Sequence, residues 1–186
     1  MSKLHVAIAA LLLAPLAACS AGNQGGSYSS AFQHLSIDGS GNVIAHARDG
    51  RQATVTAAGD LSLGGKAVTV TPAQRQLLGA YHGAALKLRD DGVATGKAGM
   101  QTGMAALSAV ASGLASGKPD SIGAKVDASA GKVDALARNV CHDLGALYQD
   151  QTAVAEAIPA FTPYATIQAH DVSDCHVEPP TSGSQP

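Results

Sequence analysis

The chain has no tryptophan, two phenylalanines and only two glutamates, Glu156 and Glu178. Glycoside hydrolysis relies on paired carboxylates beside an aromatic platform, so the composition gives that chemistry poor ground. Gly-x-Ser-x-Gly does not occur, which removes the nucleophile elbow of serine hydrolases. Gly-x-x-x-x-Gly-Lys-Ser/Thr is equally missing, and with it the usual phosphate cradle. Charge is sparse at 14% of residues and shows no concentrated basic surface of the kind nucleic acids select. No apolar run reaches the ~20 residues that a bilayer-spanning helix needs. These scarcities leave no catalytic residue, cofactor, metal site, nucleic-acid partner or small-molecule substrate to be named from the sequence.

The longest apolar stretch lies at the N-terminus. Lys3 and the free amine precede Val6–Leu16, and Leu16-Ala17-Ala18-Cys19 closes the run. A positive start, about ten apolar residues and small residues at the cut are the layout of a secretory signal. Leu-Ala-Ala before a cysteine resembles the bacterial lipobox, so residues 1–18 are expected to be removed and Cys19 to carry lipid. Two or more acyl chains hold a protein to a bilayer without a spanning helix. Ser20, rather than Asp, after the lipidated cysteine implies sorting to the outer membrane, facing the periplasm. Residues 19–32 are rich in Gly, Ser, Asn and Gln, the composition of a flexible tether. Residues 178–186 contain nothing apolar to bury and read as a disordered tail.

Between the tails, residues 33–177 are long enough for one domain with its own core. Residues 33–71 read as a small antiparallel β-meander. Asp38-Gly39-Ser40-Gly41-Asn42, Asp49-Gly50 and Gly64-Gly65 mark its turns, with short alternating strands between them. At Thr71 the period changes. Thr71 is an N-cap, Pro72 suits the first helical position and Gln74 completes a capping box. Residues 72–158 are expected to form a bundle of two or three long helices, giving an α+β fold. Leu77, Leu78, Tyr81, Ala84, Ala85 and Leu88 share one face of the first, and Asp90-Asp91-Gly92 is expected to weaken or bend it. Ala98–Gly117 holds no charge. Its narrow stripe of Met100, Met104, Leu107, Val110 or Ala111, and Leu114 is expected to pack on the other helices. From about Ser121 to Ile158 a seam recurs at sevens through Val126, Val133, Val140, Leu147 and Val154, and Pro159 ends it. Residues 159–177 read as an extended return segment. His34, His46, His82 and His170 read as surface residues.

Apart from Cys19, the cysteines are Cys141 and Cys175, and outside the cytoplasm such a pair is expected to oxidise. Each is followed by histidine (His142, His176), so zinc bound by two Cys and two His is the alternative. Neighbouring helical residues point about 100° apart, which makes Cys141 and His142 poor ligands for one ion. Charge is uneven: eleven basic and eight acidic residues from Cys19 to Val140, then six acidic and none basic to the end.

Gly59-Asp60-Leu61 through Gly65-Lys66-Ala67-Val68, Thr71-Pro72-Ala73-Gln74-Arg75-Gln76 and Pro159–Ile167 resemble the YggN-like family of bacterial envelope proteins, which carry a domain of unknown function. The resemblance spans roughly residues 33–175 and transfers no catalytic or ligand residue. With the lipobox and without a catalytic motif, the chain is expected to be a lipid-anchored, non-catalytic interaction or structural module that uses its meander or helix seam to hold an envelope protein partner. The alternative is a membrane-active or oligomerising protein that acts through residues 98–117.

Overall fold

The computed structural model describes residues 33–116 and 120–176, with side chains except at 110, 113–116 and 120–129. The expected signal, Cys19, the tether and the C-terminal tail lie outside these residues. Five strands come first: β1 (Leu35–Ile37), β2 (Val43–His46), β3 (Gln52–Val55), β4 (Leu61–Leu63) and β5 (Lys66–Val68). They form one sheet in chain order, antiparallel throughout, as the turn signals require. Each connection uses glycine where the backbone turns left-handed, at Gly41, Gly50, Gly59, Gly64 and Gly65. Asp38 fixes the first turn by accepting from the backbone N–H groups of Ser40 and Asn42 and from the Asn42 amide.

Two long helices follow, α1 (Pro72–Ser116) and α2 (Asp120–Ala157), and pack along each other. The Thr71 capping box forms: Thr71 N–H donates to Gln74 Oε1 at 2.9 Å, and Gln74 N–H to Thr71 Oγ1 at 3.3 Å. Gln74 Nε2 also donates to Ala157 O at 2.7 Å, so the start of α1 caps the end of α2.

The sheet lays its apolar face over the α1 start and the α2 end. Val43, Ala45, Ala53, Val55 and Leu61 meet Leu78, Tyr81, Ala85 and Leu88 of α1 and Val140, Leu144, Leu147 and Val154 of α2. Alternation in the strands and the part of the seven-residue seam at Val140, Leu147 and Val154 both point into one core, whereas Val133 lies outside it and Val126 lies outside the described side chains. Among the described residues, no member of that core lies between Leu88 and Val140. Beyond this border, among the described residues, α1 and α2 cover each other. The stretch of α1 from Leu88 to Ser116 is about 40 Å long at 1.5 Å per residue.

Asp90-Asp91-Gly92 lies within α1, which is helical throughout 72–116. Asp91 receives Lys87 Nζ at 2.8 Å one turn earlier, and Thr95 Oγ1 donates to Asp91 O at 2.7 Å, so local pairs carry the helix through the weak sequence. The return segment is not extended. It is a 3₁₀ helix at Pro159–Tyr164 and a short helix α3 (Ala169–Ser173), joined by residues 165–168. Phe161, Tyr164 and Ile167 recur at threes, the 3₁₀ period, and all three are buried. Phe161 stands edge-to-face on Tyr81 with ring centroids 5.5 Å apart. His82, lastly, is buried rather than at the surface, with Nε2 2.8 Å from Gly41 O beneath the first turn.

Candidate functional site

The border of the core on α2 carries a disulfide and an ion pair to a buried aspartate. Cys141, next to Val140, is joined to Cys175, with Cα atoms 5.4 Å apart in the range a disulfide requires. The bond ties the chain after α3 to the middle of α2. His142 points outward with its side chain 83% exposed, and His176 is exposed too. The geometry thus brings the cysteines together and leaves the histidines apart from them. Among the described residues no three His, Cys, Asp or Glu side chains gather as a ligand set.

Facing α1 from the same turn of α2, Asp143 is buried with its side chain 3% exposed. Lys87 of α1 reaches across, its Nζ 2.8 Å from Asp143 Oδ2 and 2.8 Å from Asp91 Oδ2. A buried carboxylate needs such a partner, because desolvation of a bare charge is costly. Hydrogen bonds to Asp143 and Asp91 raise the Lys87 ammonium above its ordinary value. Donation from Lys87, then contact with Asp143, holds Asp91 below the usual carboxylate range. The cluster locks α1 to α2 where the core ends. Lys87 and Asp91 stand four apart on one helix, a spacing from which sequence reasoning could have found the pair but did not; Asp143 enters through tertiary packing.

A shallow open depression of about 510 Å³ lies between the sheet and the 3₁₀ helix, lined by Arg51, Leu63, Lys66, Pro159, Pro163 and Tyr164 among others. Arg51 rests over the Tyr164 ring, 5.8 Å from its centroid, and is paired with Asp49 at 2.8 Å. Its cation is therefore already engaged.

The outer face of α1 departs most from the expectation. Val93, Met100, Met104 and Leu107 are 62, 69, 68 and 75% exposed, so Met100, Met104 and Leu107 of the expected stripe are not packed on the other helices, while Val110 and Leu114 lie outside the described side chains. Ala98 is buried, and Leu107, nine residues on, falls half a turn round the helix from it. Ala98, Thr102, Ala106 and Ala109 occupy the sheltered side, and the large side chains take the other. Small residues suffice between α1 and α2, which leaves the methionines and the leucine outside. Single exposed apolar residues are ordinary, but a contiguous row marks a contact surface. Comparison of the chain with family models, with curated proteins and with solved structures found no match.

Proposed function

We propose that this chain is a lipid-anchored bacterial envelope protein, held to the outer membrane through Cys19, that acts as a non-catalytic interaction module. The observation that carries the interaction reading is the exposed apolar row Val93, Met100, Met104 and Leu107, borne on a helix pair that continues beyond the core. A row of that kind gains free energy by leaving water, which suits contact better than solvation. The anchor rests on Leu16-Ala17-Ala18-Cys19. The sheet, the core and the Cys141–Cys175 staple form the base that presents the row.

Metabolic labelling with a fatty acid tests the anchor. Wild type should take up label and Cys19→Ser should not; equal labelling of the variant would reject it. A second reading, a membrane-active helix, draws on the same row and on the uncharged Ala98–Gly117 segment. Among the described residues no helix is long and apolar enough to cross a membrane, so this reading places α1 flat on a bilayer. Flotation of the chain made without its signal and Cys19 with phospholipid vesicles separates the two, because only a membrane-active helix carries that chain upward.

A further inference from the structure

The exposed row has a period that identifies its occupant. Val93, Lys97, Met100, Met104, Leu107 and Ala111 follow one another at alternating steps of four and three, and all six are exposed. This is a two-in-seven seam, narrower than the broad apolar face that interfacial helices bury in lipid, and it matches the pattern that pairs one helix with another. The positions beside it are Ala94, Gly96, Gln101, Gly103 and Ser108, all uncharged. Charges there normally select an unlike partner or one orientation, and an uncharged flank leaves the seam complementary to itself. At Gly96 and Gly103 a methyl group would meet nothing within 4 Å, so a second helix can come close. From Gly92 to Ser116, α1 has a single charge, Lys97, and it sits within the seam.

We propose that the outer face of α1 is a homodimer interface, in which a second copy of this chain packs antiparallel along it about a two-fold axis near Met104. Lys97 sets the direction. A parallel pair would hold two lysines side by side in an apolar seam, which like-charge repulsion disfavours. Antiparallel pairing about Met104 places each Lys97 beside Ala111 of the second copy, where its ammonium can extend past a methyl group into water. It also brings Met104 against itself and Met100 beside Leu107. A two-fold contact is closed, so the pairing stops at two copies. The seam spans only about three heptads. The inference therefore rests on the anchored reading above: confinement to one membrane raises the effective concentration of a weak self-contact.

Cysteine crosslinking in the full lipidated chain, in its own envelope, tests this. Oxidation of Met104→Cys alone should give a dimer band, and Lys97→Cys alone and Ala111→Cys alone should give none. Lys97→Cys and Ala111→Cys expressed together should give the band again. All these positions are exposed, and unchanged helicity of each variant verifies folding. Equal crosslinking of Lys97→Cys alone would overturn the antiparallel pair. So would a lack of dimer at every position. In that event a photo-crosslinker at Met104 that captures lipid or a different protein would leave the interaction reading standing without the dimer. Free reaction of Met104→Cys with a water-soluble thiol reagent, at the rate of an unstructured peptide, would remove both.

Discussion

Gln151 holds both backbone groups of Ile167: its Oε1 accepts from Ile167 N–H at 3.1 Å, and its Nε2 donates to Ile167 O at 2.7 Å. Gln151 and Ile167 are both buried, so one side chain on α2 satisfies a stretch of chain that has no strand or helix to pair with there. The return segment is docked by this fork at one end and by Cys141–Cys175 at the other.

Gln151→Ala should strand both Ile167 groups. The expected cost is about 2–6 kcal/mol, since each of the two unsatisfied buried groups costs about 1–3 kcal/mol. Urea unfolding would check it.

Removal of the disulfide by Cys141→Ser with Cys175→Ser should cost about 3–4 kcal/mol by loop closure across 34 residues. A shift of the urea midpoint in that range is expected. Thiol titration of the unfolded, unreduced wild-type domain should find neither Cys141 nor Cys175 reactive.

Tyr81 is fully buried, and its hydroxyl has no hydrogen-bond partner among the described residues. Burial pushes the phenol well above its ordinary range. Tyr81→Phe should therefore be neutral or stabilising, because an unpaired buried hydroxyl costs about 1–3 kcal/mol. Tyr81→Ala, which also loses the Phe161 contact, should cost about 3–5 kcal/mol. Thermal melts of the two variants should move in opposite directions or leave only Ala shifted.

Gly59 combines a left-handed backbone, φ 76°, with direct abutment on Arg75 O in the first turns of α1. The Arg75 guanidinium meanwhile pairs with Asp60. Gly59→Ala must strain the backbone and push α1 off the sheet, at a cost of at least about 1–3 kcal/mol. Gly39→Ala, with open space and no such backbone demand, is the control and should leave the melt unchanged.

Stability should fall at both ends of the pH scale through the Lys87 cluster. Asp91 is depressed in the folded state, so its contribution is present above the unfolded carboxylate value of about 3.9 and is lost as pH falls through the lower folded value. Asp38 and Asp49, depressed by hydrogen bonds from Asn42 and Arg51, act in the same acid window. Lys87 is raised, so its contribution is complete below about 10.4 and is lost as pH climbs through the higher folded value. Unfolding free energies across pH should show both limbs. Lys87→Gln should remove its part of the alkaline one.

The meander was legible because its turns are dictated by single residues. Asp38, Gly41, Gly50 and the Gly64-Gly65 pair each demand one backbone geometry, and the strands between them can pair in only one register. The start of α1 was legible for the same reason, in Thr71, Pro72 and Gln74. What escaped depends on distance in sequence. His82 looks like any helical histidine until the Gly41 turn settles over it. Asp143 shows no pattern until Lys87 arrives from another helix. Phe161, Tyr164 and Ile167 did carry a signal at threes, but six residues are too few for that period to outweigh an extended reading beside two prolines. The exposed Met100–Leu107 row was read as core because hydrophobicity says which side chains avoid water and not which surface covers them.

The border at Leu88 and Val140 divides single helices into two regimes of amide exchange. From Val140 to Ile158, amides of α2 lie under the sheet and can open only with the core, so their hydrogens should exchange at the rate of global unfolding. Toward residue 130 the same helix has, among the described residues, α1 as its neighbour, and its amides should exchange by local fraying. The Cys141 crosslink falls at the step between them. Fraying that starts at the far end of the helix pair would meet a covalent stop within one residue of the core, so the outer part could open and close repeatedly without the base losing its fold.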